Sequence, residues 1–297
     1  MTGEPLRKAF EGMEKHASHP SSVPEYGRAG IQEFNQLGYM PCDRYSESVN
    51  LTLDASYFDY CISVCAGLLG KKDRQAHYEK LSENYRNIFD STTGFMRGKD
   101  SRGRFRPDFD PCRWGFDYTE ASAWQTTFAV QHDLNGLAEL MGGREAILQK
   151  LDQLFAAEPQ YLTGSYGQEI HEMTEMAACS WGQCAISNQP SFHIPYLYAW
   201  FGQPDKTACW VRRACQEGFS AKDDGFPGDE DNGSMALWYV FAVLGIYPIC
   251  PGKPIYTHIP PMADSVRILG RKMEISDLGT IITHEELMNG IYGQKNS

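Results

Sequence analysis

The chain has 297 residues, of which 42% are hydrophobic and 12% aromatic, so it can build a sizeable folded core. Its formal net charge of -11 argues against nucleic acid or an anionic membrane as the main partner, because both require clustered lysine and arginine. No stretch has the length and apolarity of a membrane span, and the start, MTGEPLRKAFEGMEK, lacks the apolar core of a secretion signal. We therefore expect a globular protein with a neutral or cationic partner, in a compartment that the sequence leaves open.

Apolar residues recur at helical spacing along most of the chain. Glycine and proline mark the breaks, as at Gly142-Gly143 and between Gly202 and Pro204, and predict antiparallel helical hairpins. Strand-like alternation is confined to the C-terminal part, at 264–284. The predicted helices cover residues 4–17, 53–69, 73–90, 119–141, 144–156, 191–202, 204–219 and 233–246.

Two long polar connections interrupt the helices, at residues 91–118 and 220–232. Both carry glycine and embedded aromatic residues, which argues against disorder and favours a functional role, so we place the active site there. The hairpins recur at intervals of roughly 65–75 residues, as in helical toroids built from concentric hairpins. The predicted fold class is all-α: an incomplete toroid over 1–260, followed by a β-rich extension or tail at 261–297.

Four acidic residues crowd one turn in DGFPGDEDNGSMALWYVF, residues 224–241. Carboxylates ahead of a helix are expected from capping alone, and Asp231 or Asn232 would be an ordinary N-cap. The spacing does not match an EF-hand, because Gly233 falls at the wrong position in the loop. A different carboxylate site stays open.

Glu120 stands at the start of a predicted helix in YTEASAWQTTFAVQHD, close to Trp124 and Gln125. Capping would again account for an acid at this position. Aromatic walls would add a second role, because desolvation by rings raises the pKa of a carboxyl toward the value that a general acid needs near neutral pH.

Polar side chains cluster in SNQPSFHIPYLY, residues 187–198, at the start of an aromatic-rich helix. Amides beside aromatic rings suit a sugar, whose faces stack on rings while its hydroxyls pair with polar groups. A lone histidine is as often structural as ligand-binding, so both roles stay open for His193. The candidate stacking rings, most of which we expect in the core, are Trp114, Trp124, Trp181, Trp200, Phe95, Phe105, Phe109 and Phe116.

These segments resemble the calcium-dependent exo-acting α-mannosidases of glycoside hydrolase family 92, in the family's order and over most of residues 24–260. The matching blocks include SVNLTLDASYFDY, YRNIFDSTTGFMRG, YTEASAWQ, SNQPSFHIPYLY and DGFPGDEDNGSMALWYVFAVLGIYPICPG. The resemblance implies an (α/α)6 catalytic domain, hydrolysis of a terminal α-mannoside with inversion, and a calcium ion that engages the sugar hydroxyls. The implied substrate is a mannose-containing oligosaccharide or glycoprotein glycan.

Position by position, the resemblance implies that Glu120 is the general acid and that the base is drawn from Asp229 and Asp231. In an inverting enzyme the acid protonates the departing oxygen while a second carboxylate activates water on the opposite face of the ring. The expected substrate-binding residues are Trp124, Gln125, Asn188, Gln189 and His193, and the expected calcium ligands are Asn188 and Gln189.

The sequence departs from the family pattern in two blocks. Ala121 and Ser122 stand where the family has glycine and asparagine, and Ile186, Gln189 and Phe192 replace two histidines and a glutamate. The amide oxygen that remains at position 189 can still ligate a hard cation. The family's N-terminal β-sandwich has no counterpart in this sequence.

Three other functions stay open. A catalytically silent carbohydrate-binding remnant is favoured by the missing sandwich and by Gln189. Hydrolysis of a mannosyl-phosphate is favoured by Gln189, because a carboxylate there would repel phosphate, whereas Glu120 argues against it, because such a leaving group needs little protonation. A toroid used only for protein contacts would bind no sugar.

Overall fold

The structure is a computed structural model that describes residues 3–23, 26–268, 271–272 and 278–292. The chain divides into two compact units, both rich in helix. Unit 1 consists of Met1–Gly143 with Tyr161–Gln168, and unit 2 of Arg144–Gln160 with Glu169–Ser297.

Unit 1 contains helices and one short antiparallel hairpin, in which Phe89 pairs with Met96. Segments of 3-10 helix extend or connect these elements at 82–88, 131–133 and 164–166. The elements are α1 (Glu4–Ser18), α2 (Ile31–Leu37), α3 (Ser48–Leu68), α4 (Lys72–Leu81), β1 (Phe89–Asp90), β2 (Phe95–Met96), α5 (Ala123–Thr126) and α6 (Leu134–Met141).

The core of unit 1 forms where α1, α3 and α4 pack together. Ile62 and Ala66 lie one helical turn apart on α3 and are buried against Phe10 of α1 and Tyr78 of α4. Helix α2 packs on an earlier part of α3, at Ala55. The apolar periodicity that predicted hairpins therefore corresponds to buried helix faces.

The helix predicted over 119–141 is broken into α5 and α6. Asp133 starts the second piece, because its Oδ1 accepts a hydrogen bond from the Gly136 amide at 2.9 Å. Its Oδ2 accepts a hydrogen bond from the Tyr85 hydroxyl at 2.7 Å, which fixes this N-cap to the chain before β1. One helix was predicted because the apolar periodicity continues across Asp133, although aspartate is a good N-cap residue.

Unit 2 combines helices with a three-stranded antiparallel sheet of order β3-β4-β7 and a separate β5-β6 pair. Short 3-10 turns at 189–191 and 194–196 lead into α9. The elements are α7 (Arg144–Ala156), α8 (His171–Cys179), α9 (Leu197–Trp200), α10 (Pro204–Gly218), α11 (Ser234–Leu244), β3 (Ile246–Tyr247), β4 (Ile255–His258), β5 (Arg267–Ile268), β6 (Arg271–Lys272), β7 (Ile281–Thr283) and α12 (His284–Tyr292).

Aromatic stacking holds the helical part of unit 2 together. Phe155 of α7 lies parallel to Trp210 of α10, with ring centroids 4.2 Å apart. Near the start of α9, Tyr196 stacks on Tyr247 of β3 at 4.1 Å. These contacts link the helices to the strands that follow them.

The C-terminal part has the short strands that the sequence predicted, and also a helix, α12, that it did not predict. Leu287 of α12 packs on Ile246 and Ile282 of the sheet. Because β4 pairs with β7, the sheet joins residues on both sides of position 260. The predicted boundary at 260 stays a prediction, and residues 269–270, 273–277 and 293–297 of the extension lie outside the described residues.

A membrane-spanning helix needs about 20 predominantly apolar residues. Within the described ranges, no helix is both long and apolar enough to cross a bilayer.

All nine cysteines are free thiols, and Cys184, Cys215 and Cys250 are buried.

The segment at residues 162–166 is fastened to the end of the first long loop. The Trp114 amide donates to the Leu162 carbonyl at 2.9 Å, and the Leu162 amide donates to the Cys112 carbonyl at 2.9 Å. This close approach requires a glycine, because a Cβ added to Gly164, where φ is +56°, would lie 1.8 Å from the Trp114 carbonyl oxygen. The pairing explains why 161–168 belongs to unit 1.

We expect Gly164→Ala to lower the free energy of unfolding by about 3 kcal/mol, because the methyl group forces the two backbone segments apart. The matched control is Gly167→Ala in the same turn, where φ is +67° and nothing lies within 4 Å of an added Cβ. This control should lower the free energy of unfolding by only about 1 kcal/mol, the cost of an alanine in the left-handed conformation. Denaturant unfolding measures both, and equal losses would contradict the close approach.

Candidate active site

Glu120 lies just after the first long loop, outside any helix. Its backbone is left-handed, with φ at 45°, an uncommon conformation for a residue with a side chain. Its amide donates a hydrogen bond to the Tyr166 hydroxyl oxygen at 2.9 Å, and the preceding amide of Thr119 donates to Asn50 Oδ1 at 3.1 Å. The Glu120 side chain is exposed. Tertiary hydrogen bonds therefore hold a strained residue in place.

Helix capping at this position is carried out by Ser122, not by Glu120. The Ser122 side chain accepts from the Trp124 amide at 3.3 Å, and Gln125 Oε1 accepts from both the amide and the hydroxyl of Ser122 at 2.8 Å. Capping thus does not explain why an acid stands at position 120. Gln125, predicted to bind substrate, is 1% exposed and belongs to this capping box, which favours a role in shaping the loop.

The aromatic residues around this segment pack on one another. Trp124 is half-buried and meets Phe95 edge-on at 4.8 Å, and Phe95 in turn packs against Phe109 at 5.6 Å. The expectation that rings enclose Glu120 and desolvate it does not match the structure, because its side chain is exposed. Of the predicted stacking rings, Trp114 and Trp181 are also buried in the core.

The acidic turn of the second long loop lies in unit 2 and precedes α11. Asp231 and Asn232 both have φ at 55°, and Gly233 has φ at 99°. The side chains of Asp229 and Asp231 are exposed. A run of left-handed residues is costly, so the surrounding structure must impose it.

Glu230 caps α11, where the sequence predicted Asp231 or Asn232 as the N-cap. Its Oε2 accepts from the Gly233 amide at 2.7 Å, and its Oε1 accepts from the Ala236 amide at 3.3 Å. The predicted capping assignment was therefore wrong. With the cap supplied by Glu230, the carboxylates of Asp229 and Asp231 are not needed to start the helix.

Asp231 is bound by Gln189 across unit 2. Gln189 Nε2 donates to Asp231 Oδ2 at 2.5 Å, so two residues predicted for different roles meet in one hydrogen bond. The neighbouring Asn188 is 4% exposed, and its Oδ1 accepts from the Gln189 amide at 3.0 Å. Asn188 thus caps the 3-10 turn at 189–191 and orients Gln189.

His193, also predicted to bind substrate, is 4% exposed and lies at the start of the 3-10 turn at 194–196. Burial favours the structural of the two roles that were left open. The residues Asn188, Gln189, His193, Asp229 and Asp231 belong to unit 2, whereas Glu120, Trp124 and Gln125 belong to unit 1.

Sequence reasoning missed His171, which contacts the acidic turn. Its Nε2 lies 3.3 Å from Glu172 Oε1 and 3.9 Å from Asp229 Oδ2, and its Nδ1 lies 3.1 Å from Glu175 Oε1. Partial burial alone would lower the pKa of His171, but Glu172 and Glu175 outweigh it and raise that pKa. Burial raises the pKa of Glu175. The available signal was HEMTE, in which Glu175 follows His171 by four residues, about one helical turn.

A model of the catalytic domain of glycosyl hydrolase family 92 matches residues 2–289. The structure is similar to that of a family 92 inverting mannosidase from Bacteroides thetaiotaomicron, with a TM-score of 0.79, 35% identity, and coverage of 95% of this chain and 42% of that chain. It is also similar to a family 92 α-mannosidase of the same organism in complex with mannoimidazole, with a TM-score of 0.79, 27% identity, and coverage of 96% and 40%.

A curated relative, described as an uncharacterized secreted glycosidase of Arthroderma benhamiae, is 28% identical over 292 residues. The match covers 88% of this chain and 34% of that protein. The chain thus spans about a third of the curated relative and about two fifths of the solved structures.

Proposed function

Because the chain belongs to glycosyl hydrolase family 92, we propose that it hydrolyses terminal α-mannosidic linkages of mannose-containing glycans, with inversion at the anomeric carbon. One observation carries the proposal: Glu120 and Asp231 are both exposed carboxylates on left-handed backbone, and a neighbouring residue caps the adjacent helix in each case. Residues in sparsely populated backbone conformations cluster at active sites, which makes these two carboxylates candidates for the chemistry.

In this proposal Glu120 acts as the general acid and protonates the glycosidic oxygen as the bond breaks. A carboxylate of the acidic turn removes a proton from the water that attacks the opposite face of the sugar. We assign that base to Asp231, because Gln189 orients it at 2.5 Å. Asp229 has a side chain that is 75% exposed and a contact of only 3.9 Å with His171, so we assign it a supporting charge.

Calcium prefers carboxylate and amide oxygens and takes about six to eight of them, including water and ligand oxygens. Among the described residues, no group of three or more His, Cys, Asp and Glu side chains is placed to hold a metal. Gln189 and Asp231 nevertheless offer hard oxygen donors on an exposed surface. Asn188 fits less well, because it is buried and its oxygen is engaged. We propose that Gln189 and Asp231 would contact the ion, which when bound orients the sugar hydroxyls.

We expect Gln189→Glu to make the melting temperature depend on calcium. The variant would place a second carboxylate where Nε2 now donates to Asp231 at 2.5 Å, and their repulsion destabilises the pair unless a cation bridges it. A cost of about 1 kcal/mol corresponds to a fall of roughly 2–4 °C in chelator, restored by calcium. The control is Gln149→Glu, on the exposed side of α7. An identical calcium response in both variants would remove position 189 from the metal site.

We also propose that the helical hairpins form part of an (α/α)6 toroid over residues 1–260. The hairpin packing within each unit and the TM-scores of 0.79 with family 92 structures support this arrangement.

The proposed function is tested by the release of mannose from α-1,2-, α-1,3- and α-1,6-linked mannobioses, with calcium and with chelator. Calcium-dependent release of mannose supports the proposal and identifies the linkage. Binding of mannobiose without turnover would favour a catalytically silent carbohydrate-binding protein. Turnover of a mannosyl-phosphate alone would favour the other enzyme function, which the neutral Gln189 keeps open.

A further inference from the structure

Two cavities of unit 1 meet at one exposed phenylalanine. They have volumes of about 260 and 490 Å³ and share Arg106, Gly115, Phe116 and Tyr118 in their linings. We call the two together the Phe116 groove. Its size is in the range of small-molecule sites, which are typically several hundred Å³.

A hydrogen bond holds the backbone of Phe116, whereas its ring faces solvent. The side chain is 43% exposed and the backbone is left-handed, with φ at 56°. Its amide donates to Ser165 Oγ at 2.6 Å, and the Arg106 guanidinium lies 5.9 Å from the ring centroid. A bulky residue in this conformation costs on the order of 1–2 kcal/mol. An exposed ring on a backbone that is held at such a cost offers a face for stacking.

The polar wall of the groove is equally fixed. Arg106 Nε and Nη2 donate to the two oxygens of Asp117 at 2.7 and 2.9 Å, and Nη2 also donates to the Cys42 carbonyl. A Cβ added to Gly98 would lie 2.1 Å from Asp117, and one added to Gly115 would lie 2.2 Å from Ser165 Oγ. The Asp117 pair leaves Nη1 of Arg106 as a donor for a ligand.

The charge of the groove indicates a neutral ligand. The smaller cavity is lined by Arg97, Arg106 and Arg113 together with Asp108, Asp110 and Asp117, so opposite charges balance. A site for a phosphate or carboxylate would carry an excess of cations. Planar polar groups beside an aromatic face suit a sugar, which offers both hydroxyls and an apolar ring face.

The groove adjoins the residue that we propose as the acid. Tyr166 lines the larger cavity, and its hydroxyl accepts the hydrogen bond from the Glu120 amide at 2.9 Å. A general acid acts on the glycosidic oxygen, which is bonded to the departing sugar. We infer that the Phe116 groove binds the sugar on the leaving-group side of the scissile bond, with the Phe116 ring as its platform and Arg106 Nη1 as a donor. This inference rests on the proposed function.

The test compares a substrate that has a leaving sugar with one that does not. We expect Phe116→Gly, which suits the left-handed backbone, to raise KM for mannobiose roughly tenfold through loss of ring stacking. Its kcat/KM for α-mannosyl fluoride should stay unchanged, because fluoride does not occupy the groove. Phe116→Tyr should restore the mannobiose KM. Phe58→Ala, which removes a ring that is 48% exposed on α3, is the matched control and should change neither substrate.

Equal effects on both substrates, or no effect on either, would overturn the inference. If the wild-type chain cleaves neither substrate, the proposed function is contradicted. Titration calorimetry then tests separately whether the Phe116 groove binds mannobiose. A roughly tenfold weaker Kd for Phe116→Gly than for wild type would still support it. Absence of mannobiose binding to the wild-type chain would refute it.

Discussion

Replacement of Glu120 by glutamine is expected to lower kcat on mannobiose by about 10²–10⁴-fold, because the amide cannot protonate a departing sugar oxygen. The kcat on α-mannosyl fluoride should fall much less, since fluoride departs without protonation. The fold should be unaffected, because Ser122 and not Glu120 caps α5. Initial rates on both substrates, measured with calcium present, give the result.

The matched control is Glu139→Gln, which removes an exposed glutamate whose ion pair with Arg86 is 3.5 Å long. It should leave both rates unchanged, because an exposed pair of this length contributes little. An equal loss on mannobiose and on the fluoride would contradict the role of acid for Glu120. It would instead indicate that the side chain only helps to bind the terminal mannose.

The second large effect is expected at Asp231. Asp231→Asn should lower kcat by about 10²–10⁴-fold on mannobiose and on the fluoride alike, because both reactions need the activated water. Asp229→Asn should cost roughly fivefold, since a largely exposed side chain 3.9 Å from His171 is worth at most about 1 kcal/mol. A larger loss for Asp229→Asn would exchange the two assignments.

The configuration of the product tests the inverting mechanism independently. Proton NMR of the wild-type reaction should show β-mannose as the first product. Azide added to Asp231→Asn should restore turnover of the fluoride and give a β-configured mannosyl azide, because the anion attacks from the face that water uses. An α-configured product in either reaction would rule out single displacement.

Much of the fold could be predicted from the sequence, because a helix with a long apolar stripe can be recognised from its own residues alone. The predicted 144–156 and 204–219 match α7 (Arg144–Ala156) and α10 (Pro204–Gly218) closely. Helices α2, α8 and α12 were missed because they are short, and their burial depends on contacts distant in sequence. The resemblance to family 92 was confirmed, since ordered blocks carry more information than any single motif.

The roles of the acids could not be predicted in the same way. Capping rules predicted Asp231 or Asn232 as the N-cap of α11, because aspartate and asparagine are both preferred at that position. In the structure Glu230 provides the cap instead, because the left-handed backbone at Asp231 and Asn232 directs the Glu230 carboxylate to the helix amides. The exposure of Glu120 was equally hidden, because the rings beside it in sequence pack on one another instead.

Because Glu230 caps α11, the backbone conformation of the proposed base, Asp231, depends on whether the first turn of that helix is intact. The carboxylate that holds the Gly233 and Ala236 amides belongs to the residue directly before Asp231. Fraying of the first turn of α11 would release Glu230 and with it the backbone conformation that presents Asp231 to Gln189. Local opening at a helix end requires far less free energy than global unfolding. Loss of the hydrolytic geometry would therefore precede melting of the domain, so heat inactivation would report on this turn rather than on the core.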